Sequence, residues 1–182
     1  MKYQLNYNNM KLEDYLIIGS AVQSAKIKKG YHAEVVVRDL LKSKGFNIVK
    51  GEKVEFPEFE GSQKSYMPDN VLYYNNEIII IDNKSGGWNN NTPMDDTLRK
   101  YINTKRKVQS NSTQNVRFVL LKNSKSQEDI QYYVDKATPF GIEMVHADTW
   151  LSDLVGEDVN LDSLLEEQLV MDIENKIKEL KG

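Results

Sequence analysis

The sequence predicts a single α/β layered domain with a central sheet of about five strands, and three observations carry that expectation. From Val71 onward, short apolar runs alternate with segments of helical period, the pattern of strands separated by helices. Ile78-Ile79-Ile80-Ile81 is a strand with no polar face, so it belongs in the middle of a sheet covered on both sides. The length of 182 residues suits one domain with at most a small appendage. The boundaries expected within it are a helical extension over 1–29, a core over 30–146 and C-terminal helices over 147–182.

Helical patterns run from Leu12 to Val22 and from Tyr31 to Leu41, punctuated by Gly30 and Gly45. Gly45 follows Lys42-Ser43-Lys44, as a capping glycine follows a basic last turn. A strand is expected at Phe46–Val49, then a strand fragment and irregular loop from Gly51 to Tyr66, where Glu, Pro, Gly, Ser and Lys are scattered. Val71–Tyr74, Asn75-Asn76 and Glu77–Asp82 form a hairpin, since Asn tolerates the positive φ of a two-residue turn. Beyond the Asn-rich segment after Trp88, the expected order is a helix at Met94–Gln109, a strand at Val116–Leu121 and a helix at Gln127–Lys136. A strand at Ile142–Val145 and helices at Thr149–Leu154 and Leu161–Leu180 complete it.

The composition narrows the chemistry. With no cysteine and two histidines, zinc and iron–sulfur sites lack ligands, so a metal here is held by oxygen atoms. The N-terminus does not read as a signal peptide and no apolar run approaches a membrane span, so a cytoplasmic protein with no membrane partner is expected. The 24 Lys and Arg against 27 Asp and Glu give a net charge of −3. Autonomous nucleic-acid binding favours a basic footprint, so nucleic-acid work by this chain calls for one basic face or for a partner that supplies affinity.

The hairpin carries the candidate site. Pairing Tyr74 with Glu77 across the turn and following the register outward sets Asp69 opposite Asp82. Facing carboxylates repel unless a positive charge sits between them, and a divalent cation is the natural occupant. Lys84, two residues beyond Asp82, leaves the strand from the same face. Mg²⁺, with Mn²⁺ as a substitute, binds through one or two carboxylates and completes its shell with water and phosphate oxygens, which points to phosphodiester chemistry. Lys84 would position the attacking water and stabilise developing charge. Glu34, set among Ala33, Val35 and Val36, is a third candidate acid, or else a helix-surface acid paired with Arg38. Acid-x-Lys triplets also occur at Glu174-Asn175-Lys176 and Glu179-Leu180-Lys181, but on an amphipathic helix without an upstream Pro-Asp.

Pro68-Asp69 followed by Asp82-Asn83-Lys84, after a helix bearing Glu34, resembles the PD-(D/E)XK nuclease superfamily. With Ser85-Gly86-Gly87-Trp88-Asn89, Gly45-Phe46 and the stretch from Asp95 to Arg99-Lys100-Tyr101, the likeness narrows to the cleavage domain of the type IIS restriction enzyme FokI and its relatives, over roughly residues 30–155. The resemblance implies a restriction-endonuclease-like α/β/α sandwich around a mixed sheet and Mg²⁺-dependent cleavage of double-stranded DNA. It implies metal ligation by Asp69, Asp82 and the Asn83 carbonyl, catalysis by Lys84 and an accessory role for Glu34. Asp95 and Arg99 match positions that pair across a dimer, so a homodimer through the 94–109 helix is one expectation. The chain has no room for the family's recognition region, so a free-standing cleavage subunit with a separate recognition subunit is the other. Lys64, Trp88, Asn89 and Lys105 are the candidate DNA contacts, although the segment from Val54 to Tyr66 is longer than the family's and acidic until Lys64. A repair or junction-resolving nuclease of the same superfamily, or an inactive scaffold, are the alternatives.

Overall fold

The computed structural model describes residues 12–27, 29–84, 94–123 and 130–182. Its elements are α1 (Leu12–Ile27), α2 (Lys29–Ser43), β1 (Asn47–Lys50), β2 (Val54–Glu55), β3 (Ser65–Tyr66), β4 (Asn70–Tyr74), β5 (Glu77–Lys84) and α3 (Met94–Ser110). They are followed by β6 (Asn115–Lys122), α4 (Gln131–Ala137), β7 (Glu143–His146), α5 (Ala147–Val155) and α6 (Leu161–Lys181). Five strands form one mixed sheet in the order β1-β4-β5-β6-β7, antiparallel through β5 and parallel from β5 to β7. The expected α/β architecture and strand number are therefore the ones observed.

The central position of β5 explains its isoleucines. Ile79 and Ile81 join α2, α5 and α6 in one core, while Ile78 and Ile80 join Leu98 and Tyr101 of α3 in the other. Four isoleucines in sequence thus seal both layers of an α/β/α sandwich. Leu161 and Leu165 bind the start of α6 to the first core, and that helix also packs along α1.

Capping behaves as the sequence indicates at the end of α2. Gly45 has φ +85°, and the N–H groups of Gly45 and Phe46 donate to the carbonyls of Lys42 and Leu41, a glycine cap that frees the chain to enter β1. α1 ends at Ile27 and α2 begins at Lys29, so the expected break lies close to Gly30, which is the second residue of α2. At the hairpin, Asn75 and Asn76 adopt φ 50° and 59°, the left-handed pair that turns tightly between β4 and β5.

The segment from Gly51 to Tyr66 is better ordered than its composition suggests. Val54 pairs with Tyr66 and Glu55 with Ser65 in a small antiparallel sheet anchored by the fully buried Phe56. Gly51 binds this segment to the hairpin, its N–H donating to the Asp69 carbonyl at 3.1 Å. A Cβ on Gly51 would lie 2.0 Å from the Pro68 carbonyl oxygen. Gly51→Ala is accordingly expected to destabilise the protein by about 3 kcal/mol in urea unfolding, because backbone must shift to admit the methyl.

Candidate metal and phosphodiester site

The register that sets the site is the expected one. Tyr74 pairs with Glu77 and the ladder continues to Asn70 opposite Ile81, so the next pair outward is Asp69 and Asp82. Asp69 itself lies one residue before β4, yet its N–H donates to Asp82 Oδ1 at 3.0 Å. In return, Asn83 donates its N–H and side-chain amide to Asp69 Oδ2 at 2.8 and 3.3 Å. The two carboxylates are thereby held together by backbone at the mouth of the hairpin.

Asp82 is 2% exposed. Burial, reinforced by the Asp69 charge, pushes its carboxyl up to about 7 against the opposing pull of Tyr66, the Asp69 N–H and Lys84. The Tyr66 hydroxyl donates to Asp82 Oδ2, and the same burial and carboxylate charge drive the phenol well above its ordinary range. Tyr101, fully buried on α3, packs edge-on against Tyr66 with ring centroids 5.3 Å apart. Lys84 lies on the Asp82 face of β5, its ammonium 6.0 Å from the centre of the Tyr101 ring.

Glu34 reaches the pair from the other layer. Burial first, then a hydrogen bond and charge from Asp69, raise its carboxyl, while the Arg38 and Lys50 charges pull the other way. Arg38 donates to Asn70 Oδ1 at 2.7 Å, and Asn70 Nδ2 donates to the Glu34 carbonyl at 3.0 Å. Asn70 is fully buried beside Asp69 and fastens α2 to the start of β4. Asn70→Ala should lose about 2 kcal/mol in urea unfolding, since it takes a partner from the half-buried Arg38 guanidinium and from the Glu34 carbonyl. Asn70→Asp, which keeps the acceptor for Arg38, should lose less.

The oxygen-only donor set fits a hard cation. Asp69 and Asp82 converge, and Asn83 Oδ1 beside them is buried with no hydrogen-bond donor. Among the described residues no three acidic or histidine side chains form a ready metal cage. Two carboxylates are the protein share that Mg²⁺ uses when water and phosphate complete its shell.

No protein-family model matches the chain, and no curated protein matches it. Among solved structures it is similar to a protein of unknown function at 18% identity, covering 83% of this chain and 88% of that one with a TM-score of 0.44. It is also similar to the small subunit of a heterodimeric restriction endonuclease at 14% identity, covering 92% of this chain and 97% of that one with a TM-score of 0.40.

The remaining sequence candidates scatter. Lys64 is exposed and donates to the Phe59 carbonyl at 2.7 Å, within its own loop. Lys105 donates to the Gly141 carbonyl at 3.0 Å, at the entry to β7 rather than at the strand ends that carry Lys84. Arg99 is exposed on α3, and its aliphatic stem lies beside Gly61. Trp88, Asn89 and the Asp95 side chain lie outside the described residues. Lys176 of one decoy triplet pairs with Glu179 of the other at 3.0 Å on α6.

Sequence reasoning missed Tyr66, Asn70 and Lys122. Tyr66 sits in a segment without clear alternation, and Asn70 looks like an ordinary strand opening. Lys122 closes an apolar strand, and its relation to Lys84 depends on sheet order. None of the described helices is long and apolar enough to cross a membrane.

Proposed function

We propose that this chain is a divalent-cation-dependent DNA endonuclease of the PD-(D/E)XK kind that hydrolyses one phosphodiester strand per site. One observation carries the reading: the β4–β5 hairpin locks Asp69 against Asp82 while Lys84 leaves the Asp82 face two residues on. Asp69 and Asp82 would hold Mg²⁺ or Mn²⁺, with Asn83 offering a further oxygen and Glu34 adjusting the charge on Asp69. The bound cation supplies positive charge at the phosphoryl oxygens. Lys84 holds the attacking water and neutralises charge gathering on the non-bridging oxygens. The water oxygen adds to phosphorus and releases a proton to solvent, one P–O ester bond breaks, and the departing oxygen takes a proton from solvent. Tyr66 keeps the Asp82 carboxylate oriented through its hydroxyl.

The net charge of −3 gives the chain little general attraction for DNA. The reading that fits is a FokI-type cleavage subunit directed by a separate recognition subunit. Cutting the second strand then requires that partner's own site or a second copy joined through the 94–109 helix.

Supercoiled plasmid at low salt with Mg²⁺ or Mn²⁺ tests the activity. Nicking by the wild type that Asp82→Ala and Lys84→Ala each abolish is the expected result. Nicking that survives both substitutions would place the chemistry elsewhere. Inactivity together with no cation binding would leave a binding scaffold in place of an enzyme.

A further inference from the structure

The face of α3 turned toward solvent floors a cavity of about 420 Å³ that the metal site does not use. One wall is the loop between β2 and β3, which contributes Phe59 and Glu60, and the other is the short turn Thr138–Phe140, which contributes Pro139 and Phe140. The size falls among small-ligand pockets, roughly 300–1,000 Å³. Both walls are fastened to the floor. Asn103 of α3 donates to the Glu60 carbonyl at 2.8 Å, Lys107 pairs with Glu58, and Lys105 donates to the Gly141 carbonyl at 3.0 Å just past the turn. Fully buried Phe56 holds the root of the loop. The cavity is thus formed before a ligand arrives, and binding carries little cost in ordering its walls.

The charges in it point to a ligand. Arg99 and Arg106 line the floor seven residues apart on α3, two turns along one face with about 10 Å of rise between them. Among the described residues neither guanidinium has an ion-pair or hydrogen-bond partner, whereas Arg117 is locked between Glu77 and Glu143. Of the two acids lining the cavity, Glu58 is taken by Lys107, and the Glu60 carboxylate has no cation on it among the described residues. Two unpaired guanidinium groups against one unpaired carboxylate leave the cavity net positive. Phe59 and Phe140, one on each wall, offer flat apolar surface to a ring. A ligand that answers every one of these features joins a flat ring, an amino donor for Glu60 and an anion for the forked arginine donors. A nucleobase supplies the first two and a phosphate the third.

We propose that this cavity binds a nucleoside monophosphate, with its base against Phe59 and Phe140, its phosphate on Arg99 and Arg106, and its exocyclic amino group donating to Glu60. The unit can arrive as a free nucleotide or as the 5′-terminal residue of a DNA strand, and the recognition chemistry is the same. Arg99 also carries the expectation of a dimer contact, but the binding rests neither on that role nor on the nuclease reading.

The test is calorimetric titration of the metal-free full chain with adenosine monophosphate, adenosine and inorganic phosphate. The nucleotide should bind about tenfold or more tighter than either fragment. Arg99→Met and Arg106→Met, which keep an apolar stem without the charge, should each weaken the nucleotide about tenfold and leave adenosine unchanged, a contrast that separates a lost anion contact from a lost fold. In NMR of the arginine side-chain N–H groups, the nucleotide should shift Arg99 and Arg106 and leave Arg117 unmoved. Inosine monophosphate, which has an oxygen in place of the amino group, should bind about fivefold weaker than adenosine monophosphate to the wild type and equally to Glu60→Ala. An oligonucleotide with a 5′-phosphate distinguishes the sources: tighter binding than the free nucleotide assigns the cavity to a strand end, and weaker binding assigns it to the free nucleotide. Adenosine or phosphate binding as tightly as the nucleotide, unmoved Arg99 and Arg106 signals, or a nucleotide-to-adenosine ratio unchanged in both arginine variants would overturn the proposal.

Discussion

Asp82→Asn should abolish plasmid nicking and at the same time raise the melting temperature of the metal-free protein by about 4–8 °C near pH 8. The gain arises because the wild type holds a carboxylate at 2% exposure against a second carboxylate, and burial followed by the Asp69 charge lifts its pKa to about 7. Asparagine removes the charge and keeps the shape. Its carbonyl can still accept from the Asp69 N–H, and its amide can donate to the Tyr66 hydroxyl, which changes from donor to acceptor.

The pH dependence has a definite sign. An acid whose folded pKa lies above its unfolded value contributes stability that is complete below the unfolded value, near 4, and is lost as pH rises through about 7. The stability gap between Asp82→Asn and wild type should therefore open between about pH 4 and 7 and level off above, with about 4 kcal/mol as its ceiling. Thermal melts at three pH values check it. A variant less stable than wild type at the highest pH would show that Asp82 is not a strained charge.

Lys84→Met should lower the nicking rate about a thousandfold while leaving the fold intact, the loss expected when a donor aimed at developing charge disappears. Its second consequence concerns neighbours rather than chemistry. Burial first and then the Lys84 charge lower the ammoniums of Lys100 and Lys122, so in the variant, which removes the second cause, both should titrate at higher pH than in wild type. NMR titration of the lysine signals reads this directly. Unmoved Lys100 and Lys122 would contradict their closeness to Lys84, and an unchanged nicking rate would remove Lys84 from the mechanism.

The site was legible wherever local rules determine geometry. Asn75-Asn76 fixed the turn, the turn fixed the register, and the register brought Asp69 to Asp82 and Lys84 to the same face. The four isoleucines announced a doubly covered strand, and the sandwich follows from it. What stayed hidden depends on distant pairing. Tyr66 meets Asp82 only because Val54 and Tyr66 form a small sheet held by Phe56, and its short, mixed strands leave no period to read. Lys122 becomes a neighbour of Lys84 only once β6 is known to run parallel beside β5. Asn70 gains meaning from the approach of α2, which draws Arg38 away from the Glu34 pairing that helical spacing suggested. The bond of Lys105 to Gly141 was hidden for the same reason, since it reaches a loop that is remote in sequence.

Calorimetric titration with Mn²⁺ probes the Asp69–Asp82 pair itself, without requiring DNA or a recognition partner. The wild type should bind one cation per chain, with affinity lost in both Asp69→Asn and Asp82→Asn and retained in Lys84→Met. Absence of binding by the wild type, or binding that survives both aspartate substitutions, would contradict it.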